Sequence, residues 1–192
     1  MGLLIVISEF RKFKGWVLLE FFLSHPSTKI HFREVVRRLG LSPRTAQVYL
    51  RAFEKDRILL AEEIGNLRIF YLNNELPLVR ELKKANLLLT LNELRFLDRF
   101  LEGNQGTVSL AVYGSYADGT NDEKSDMDFL VIKRGALDES PFKEIERRVK
   151  KDVTVMCMEP AEWNARAKER DPFYINVVRK HILLYGADLV VE

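Results

Sequence analysis

Two aspartates separated by one residue, Asp126 and Asp128, open an apolar run that continues Phe129-Leu130-Val131-Ile132. In an extended strand the side chains alternate between faces, so both carboxylates project to one side, about 6 to 7 Å apart along the backbone. Met127, Phe129 and Val131 then face a core, and this fixes the register, because a slip of one residue would bury both acids. Like charges held side by side repel unless a cation lies between them or one of them takes a proton. A hard dication, Mg²⁺ or alternatively Mn²⁺, is the natural occupant, since it takes a few carboxylate oxygens and completes its shell with water and substrate phosphates.

The apolar run before this one ends in Gly114-Ser115. Gly114 lets the backbone approach a bulky anion, Ser115 offers a hydroxyl, and N–H groups at the start of a following helix carry positive partial charge. A metal at the two aspartates could bridge to the same triphosphate. The two halves of the stretch thus read as one nucleotide and metal site built across neighbouring strands.

The whole segment, GSYADGTNDEKSDMDFLV, resembles the signature of polymerase-beta-like nucleotidyltransferases, especially their small "minimal" members. That signature is Gly-Ser-x-Ala-x-Gly, five residues, Ser-Asp-x-Asp and an apolar strand. Gly114, Ser115, Ala117, Gly119, Ser125, Asp126 and Asp128 occupy its positions with the spacing intact, and DPFYINVVRKHILLYG resembles the closing helix and strand of that domain. The resemblance implies an α/β (α+β) domain with a mixed sheet over residues 105–192. It implies transfer of a nucleoside monophosphate from a nucleoside triphosphate, with ATP expected, to a hydroxyl acceptor. Asp126 and Asp128 would hold metal, and Gly114, Ser115 and Ser125 would hold the triphosphate. The acceptor could be a small molecule, a nucleic-acid end or a protein hydroxyl, including one on a cognate toxin, since small members often act as antitoxins.

Active members carry a third carboxylate on the next strand, flanked by apolar residues. In KKDVTVMCMEP that slot holds Thr154, while Asp152 lies on the same face two residues earlier, so Asp152 joins Asp126 and Asp128 as a catalytic candidate if the register shifts by two. Asp118 stands where the family often has a base, and would repel a triphosphate. These departures keep an alternative open: a DNA-binding regulator or antitoxin-type protein whose degenerate transferase domain binds nucleotide or partner without turnover.

These strands need elements to position them, and the rest of the chain reads as follows. Phe13 to Leu23 predicts a helix; HFREVVRRLG predicts a second, stopped by Gly40; Ser42 and Pro43 predict the N-cap and first position of a third. ILLAEEIGNLRIFYL predicts a hairpin turning at Gly65-Asn66. Helix, turn, helix and hairpin together resemble a mainly helical winged helix-turn-helix domain over residues 1–74. Its third helix offers Arg44, Gln47 and Arg51 to base edges or phosphates of DNA, with Arg33, Arg37 and Arg38 nearby. Residues 1–75 hold twelve Lys/Arg against eight Asp/Glu, whereas the whole chain is nearly balanced at +2, so the positive charge is local.

Residues 75–104 predict a leucine-rich helical connector, broken near Thr90-Leu91-Asn92, which could pair two chains as a homodimer or pack between domains. Lys83, Lys84, Lys133 and Arg134 read as solvated charges. His181 reads as structural, and Trp16 and Trp163 as packing aromatics. Cys157 is the one cysteine, which excludes an internal disulfide and fits a reducing cytoplasm. The apolar Leu3 to Ile7 is too short to span a membrane, so no membrane partner is expected.

Overall fold

Gly40, Ser42 and Pro43 act as their chemistry requires. The computed structural model, which describes residues Glu9–Val191, has helix α1 at Lys14–Ser24, a short strand β1 at Ile30–His31, and helices α2 at Phe32–Leu39 and α3 at Pro43–Lys55. Gly40 ends α2 in the left-handed region at φ 59°, and the Ser42 hydroxyl accepts the Thr45 N–H at 3.1 Å to cap α3. Strands β2 (Leu59–Ile64) and β3 (Leu67–Leu72) pair antiparallel with Ile64 opposite Leu67, so the turn is Gly65-Asn66. β1 adds to the other edge of β3. Trp16, Leu18 and Phe22 of α1 pack with Val35, Ala46, Leu50, Leu59 and Phe70 into one core. The Leu3–Ile7 segment lies outside the described residues.

Helix α4 (Pro77–Glu93) runs past the break expected at Thr90-Leu91-Asn92; the chain turns instead at Arg95, φ 50°, before α5 (Phe96–Gly103). The Thr90 and Asn92 carbonyls still accept the Leu94 and Arg95 N–H groups, and Leu87 and Leu91 are buried, so packing overrides the weak helix preference of Thr90 and Asn92. By its contacts the chain divides into two units, one running to Leu89 and including Asn121–Glu123, the other holding Thr90–Thr120 and the residues from Lys124 on.

The second unit is built on a mixed four-stranded sheet ordered β6-β5-β4-β7. β4 (Thr107–Tyr113) lies antiparallel to both β5 (Met127–Lys133) and β7 (His181–Gly186), while β5 and β6 (Val153–Met158) are parallel and joined through helix α7 (Ser140–Val149). Phe129 on one face of the sheet meets Phe96 and Phe142 at ring separations of 5.3 and 5.1 Å. On the other face Ala111, Leu130 and Ile132 are covered by Trp163 of α8 (Pro160–Lys168) and Val177 of α9 (Pro172–Arg179). This double coverage buries the middle of β5, and only the strand's start, where the acids are, stays accessible.

Lys83 and Lys133 are not solvated. Each is at most 5% exposed; Lys83 donates to Asn74 Oδ1 at 2.8 Å, and Lys133 to Asn104 Oδ1 at 3.1 Å and to the Ala136 carbonyl. Asn104, also buried, bonds both backbone groups of Asp138, so one side chain ties the end of α5 to the loop after β5. Asn104→Ala should cost about 3 kcal/mol in urea unfolding, because it removes one of the two acceptors of a buried ammonium and the partner of both backbone groups of Asp138. Adding Lys133→Met should recover part of that loss; a further loss instead would mean that Lys133 is held mainly by Ala136.

Among the described residues no helix is long and apolar enough to cross a membrane.

Candidate functional site

β4 ends at Tyr113 and turns at Gly114 into a five-residue helix, α6 (Gly114–Asp118), closed by Gly119 at φ 75°. β5 starts opposite this turn, with Asp128 paired to Tyr113. Gly114 holds φ +72°, and a Cβ built on it would lie 2.6 Å from Asp128 Oδ2. The missing side chain is therefore the space that the Asp128 carboxylate occupies. Ser115 is half-buried beside it, and its carbonyl accepts the Thr120 N–H at 3.0 Å.

Asp126 is exposed and Asp128 half-buried. Burial, and after it the Asp126 carboxylate, push the Asp128 carboxyl above its ordinary range. The phenol of Tyr113 is raised too, by burial and then by Asp128. Tyr113 stacks edge-on against Phe173 of α9 at 5.5 Å. Two mutually repelling carboxylates, one partly desolvated, beside a glycine without a Cβ, form an all-oxygen donor set that fits a hard dication.

In the parallel ladder Thr154 is paired with Asp128, so the slot next to that acid holds a hydroxyl. The Met127 N–H donates to the Asp152 carbonyl at 2.9 Å, which continues the ladder one step and sets Asp152 alongside Asp126, exposed to solvent. Among the described residues no three His, Cys, Asp or Glu side chains are gathered closely enough to hold a metal ion. The site thus brings together Gly114, Asp126 and Asp128, with Ser115 next to them and Asp152 at the margin. Ser125, half-buried, directly precedes Asp126.

One pairing was hidden in the sequence. Asp118 does not stand as a bare charge: its Oδ2 receives the Lys180 ammonium at 2.9 Å. Burial pushes the Asp118 carboxyl up, but hydrogen bonds from Thr120 and Lys180 outweigh it and leave the group below its ordinary range. His181 gives its Nδ1 to the carbonyls of Val177 and Val178, a structural role.

In the first unit Arg44, Gln47 and Arg51 are all exposed on α3. Gln47 and Arg51 line a hollow of about 230 Å³ with Phe32, Glu54, Arg68 and Phe70. Arg68 comes from the hairpin and pairs with Glu54 at 2.5 Å; sequence alone gave no reason to join it to α3. Arg37 and Arg38 both hold Glu34, at 2.5 and 2.8 Å, and these bonds lower the Glu34 carboxyl to about 2.

Residues 94–184 match the family model of the nucleotidyltransferase domain. The mixed sheet and its helices are consistent with that fold. No curated protein matches the sequence. Among solved structures, a toxin–antitoxin crystal structure with AMP-PNP is 18% identical, with a TM-score of 0.37 over 49% of this chain and 73% of the other. A mutant of the toxin–antitoxin MntA–HpeT is 17% identical, with a TM-score of 0.35 over the same shares.

Proposed function

We propose that this protein is a metal-dependent nucleotidyltransferase that moves a nucleoside monophosphate, with ATP the expected donor, onto a hydroxyl acceptor. The observation that carries the reading is the contact of Gly114 with Asp128, a carboxylate seated where a side chain would otherwise be, with Asp126 beside it. Asp126 and Asp128 would hold Mg²⁺ or Mn²⁺. A bound dication neutralises phosphate charge and stabilises the charge that develops on the departing pyrophosphate. Ser115 and Ser125 supply hydroxyls to the triphosphate. The acceptor oxygen attacks the α-phosphorus, the bond to the β-phosphate breaks, and pyrophosphate leaves. The acceptor's proton goes to a carboxylate, for which Asp152 stands on the Asp126 side of the ladder. Such catalysis is mostly positioning and charge neutralisation.

A second reading is favoured by Thr154, which pairs with Asp128 where a third acid is expected. It makes the domain a nucleotide sensor or partner platform without turnover. Calorimetric titration of each triphosphate with and without Mg²⁺, followed by an assay for pyrophosphate release, separates the two. Metal-dependent binding with release supports the transferase, and binding without release under every acceptor tested supports the sensor. No binding at all removes the transferase and the sensor and leaves the partner platform.

The first unit we read as a winged helix-turn-helix that contacts DNA through Arg44, Gln47 and Arg51, with Arg68 joining from the hairpin. What supports this is the basic, exposed face of α3 above a hollow shared with that hairpin. Arg44→Ala with Arg51→Ala should lower the slope of log K against log salt for duplex DNA by about 1.8, at about 0.9 per phosphate contact. An unchanged slope would assign this face to protein contacts.

A further inference from the structure

We propose that Lys180, held in place by Asp118, is the cation that receives the phosphate chain of the nucleotide. This rests on the transferase reading of the same site and adds to it the residue that distinguishes a triphosphate from a monophosphate.

The site as described is short of positive charge. Asp126 and Asp128 contribute only negative charge, and a triphosphate carrying one dication is still an anion. A cation from another element would offset the charge that remains. The β4–β7 ladder pairs Tyr113 with His181, so Lys180, the next residue, stands alongside Gly114 where the ladder ends. Across the end of the sheet the order is Asp128, then Tyr113 and Gly114, then Lys180. The acids and the lysine flank the glycine turn from opposite sides.

Lys180 is also oriented. Asp118 closes α6, the helix that Gly114 and Ser115 begin, and its Oδ1 accepts both the Thr120 N–H at 3.0 Å and the Thr120 hydroxyl. The same Thr120 N–H lies 3.0 Å from the Ser115 carbonyl. The turn that carries Ser115 is thereby knotted to Asp118, and Asp118 to Lys180. The side chain of Asp118 is 20% exposed and that of Lys180 63%, so the carboxylate is the fixed partner and the ammonium keeps donors for solvent or an anion. An ammonium has three donors, and the pair occupies one. Arg166, another cation of the unit, is engaged by Glu162 and Asp171. An acid that on its own would repel phosphate here serves to aim a base at it.

The test is calorimetric titration of the full chain with AMP, ADP and ATP in the presence of Mg²⁺, for wild type, Lys180→Met, Lys180→Arg and Asp118→Asn. Loss of a charge-assisted contact should weaken ATP binding by about ten- to a hundredfold in Lys180→Met and leave AMP within about twofold of wild type. Lys180→Arg should restore most of the ATP affinity. Asp118→Asn should lose less than Lys180→Met, since the ammonium remains but is unmoored. Unchanged ATP binding in Lys180→Met overturns the assignment and leaves a surface ion pair. Equal losses for AMP and ATP overturn it too, as damage to the pocket. If the wild type binds no triphosphate, the transferase reading itself falls and this assignment with it.

Discussion

Asp128→Asn should abolish metal-dependent triphosphate binding and, without metal, make the protein more stable. The first effect should exceed about a hundredfold, because even residues behind a metal ligand cost about 10- to 100-fold in affinity when altered. The second follows from the sign of the carboxyl's shift. Burial first and the Asp126 carboxylate second raise the folded pKa of Asp128 above its ordinary value. The folded chain then holds that proton more tightly than the unfolded chain, so stability declines as pH rises from the ordinary carboxylate range through the folded value. Above that window the whole penalty is present. Asparagine keeps the shape and removes the charge. Because Asp128 is only half-buried and the repulsion is screened, the gain should be about 0.5–1 kcal/mol, or about 1–4 °C in midpoint. Scanning calorimetry in EDTA should show the variant above wild type at neutral pH and the two converging at low pH. Added Mg²⁺ with ATP should raise wild type alone. A variant less stable than wild type at every pH would make Asp128 a structural hydrogen-bond partner instead.

Strands β4, β5 and β6 could be bounded from the sequence because alternation and the cost of burying an acid are local facts. Met127, Phe129 and Val131 have one preference, Asp126 and Asp128 the opposite, and the pleat satisfies both in one register only. The slot between Val153 and Val155 comes from the family resemblance, which leaves the register open by two residues between Thr154 and Asp152; the ladder pairs Thr154 with Asp128. Caps were legible because Gly40 and Ser42 act on their immediate neighbours. What escaped depends on partners distant in sequence. Lys133 reads as a surface charge until Asn104, 29 residues away, is placed against it. Asp118 reads as a defect until Lys180, 62 residues on, arrives across β7. Arg68 gains its place beside α3 only once the hairpin folds back. Gly186 is another such case, since a Cβ there would lie 1.9 Å from the Val108 carbonyl, and no pattern around residue 186 foretells which backbone will pass so close.

Gly114→Ala should damage nucleotide binding far more than it damages the fold. Two costs act at this position. The left-handed backbone at φ +72° costs an alanine about 1–2 kcal/mol, and a Cβ 2.6 Å from Asp128 Oδ2 must be relieved by movement. The nearest backbone is not what the methyl meets; it meets the free end of a side chain, which can rotate away cheaply. Relief therefore comes from displacing the Asp128 carboxylate, the group proposed to hold the metal. The expected midpoint loss is only about 2–8 °C, with metal-dependent ATP affinity down by about tenfold or more. A double-mutant cycle isolates the cause. If displacement of Asp128 is the mechanism, Gly114→Ala should weaken ATP binding with metal in wild type but add almost nothing to the residual, metal-free ATP binding of the Asp128→Asn background, where the ligand is already lost. Equal losses in both backgrounds would show instead that Gly114 acts by letting the backbone itself approach the nucleotide.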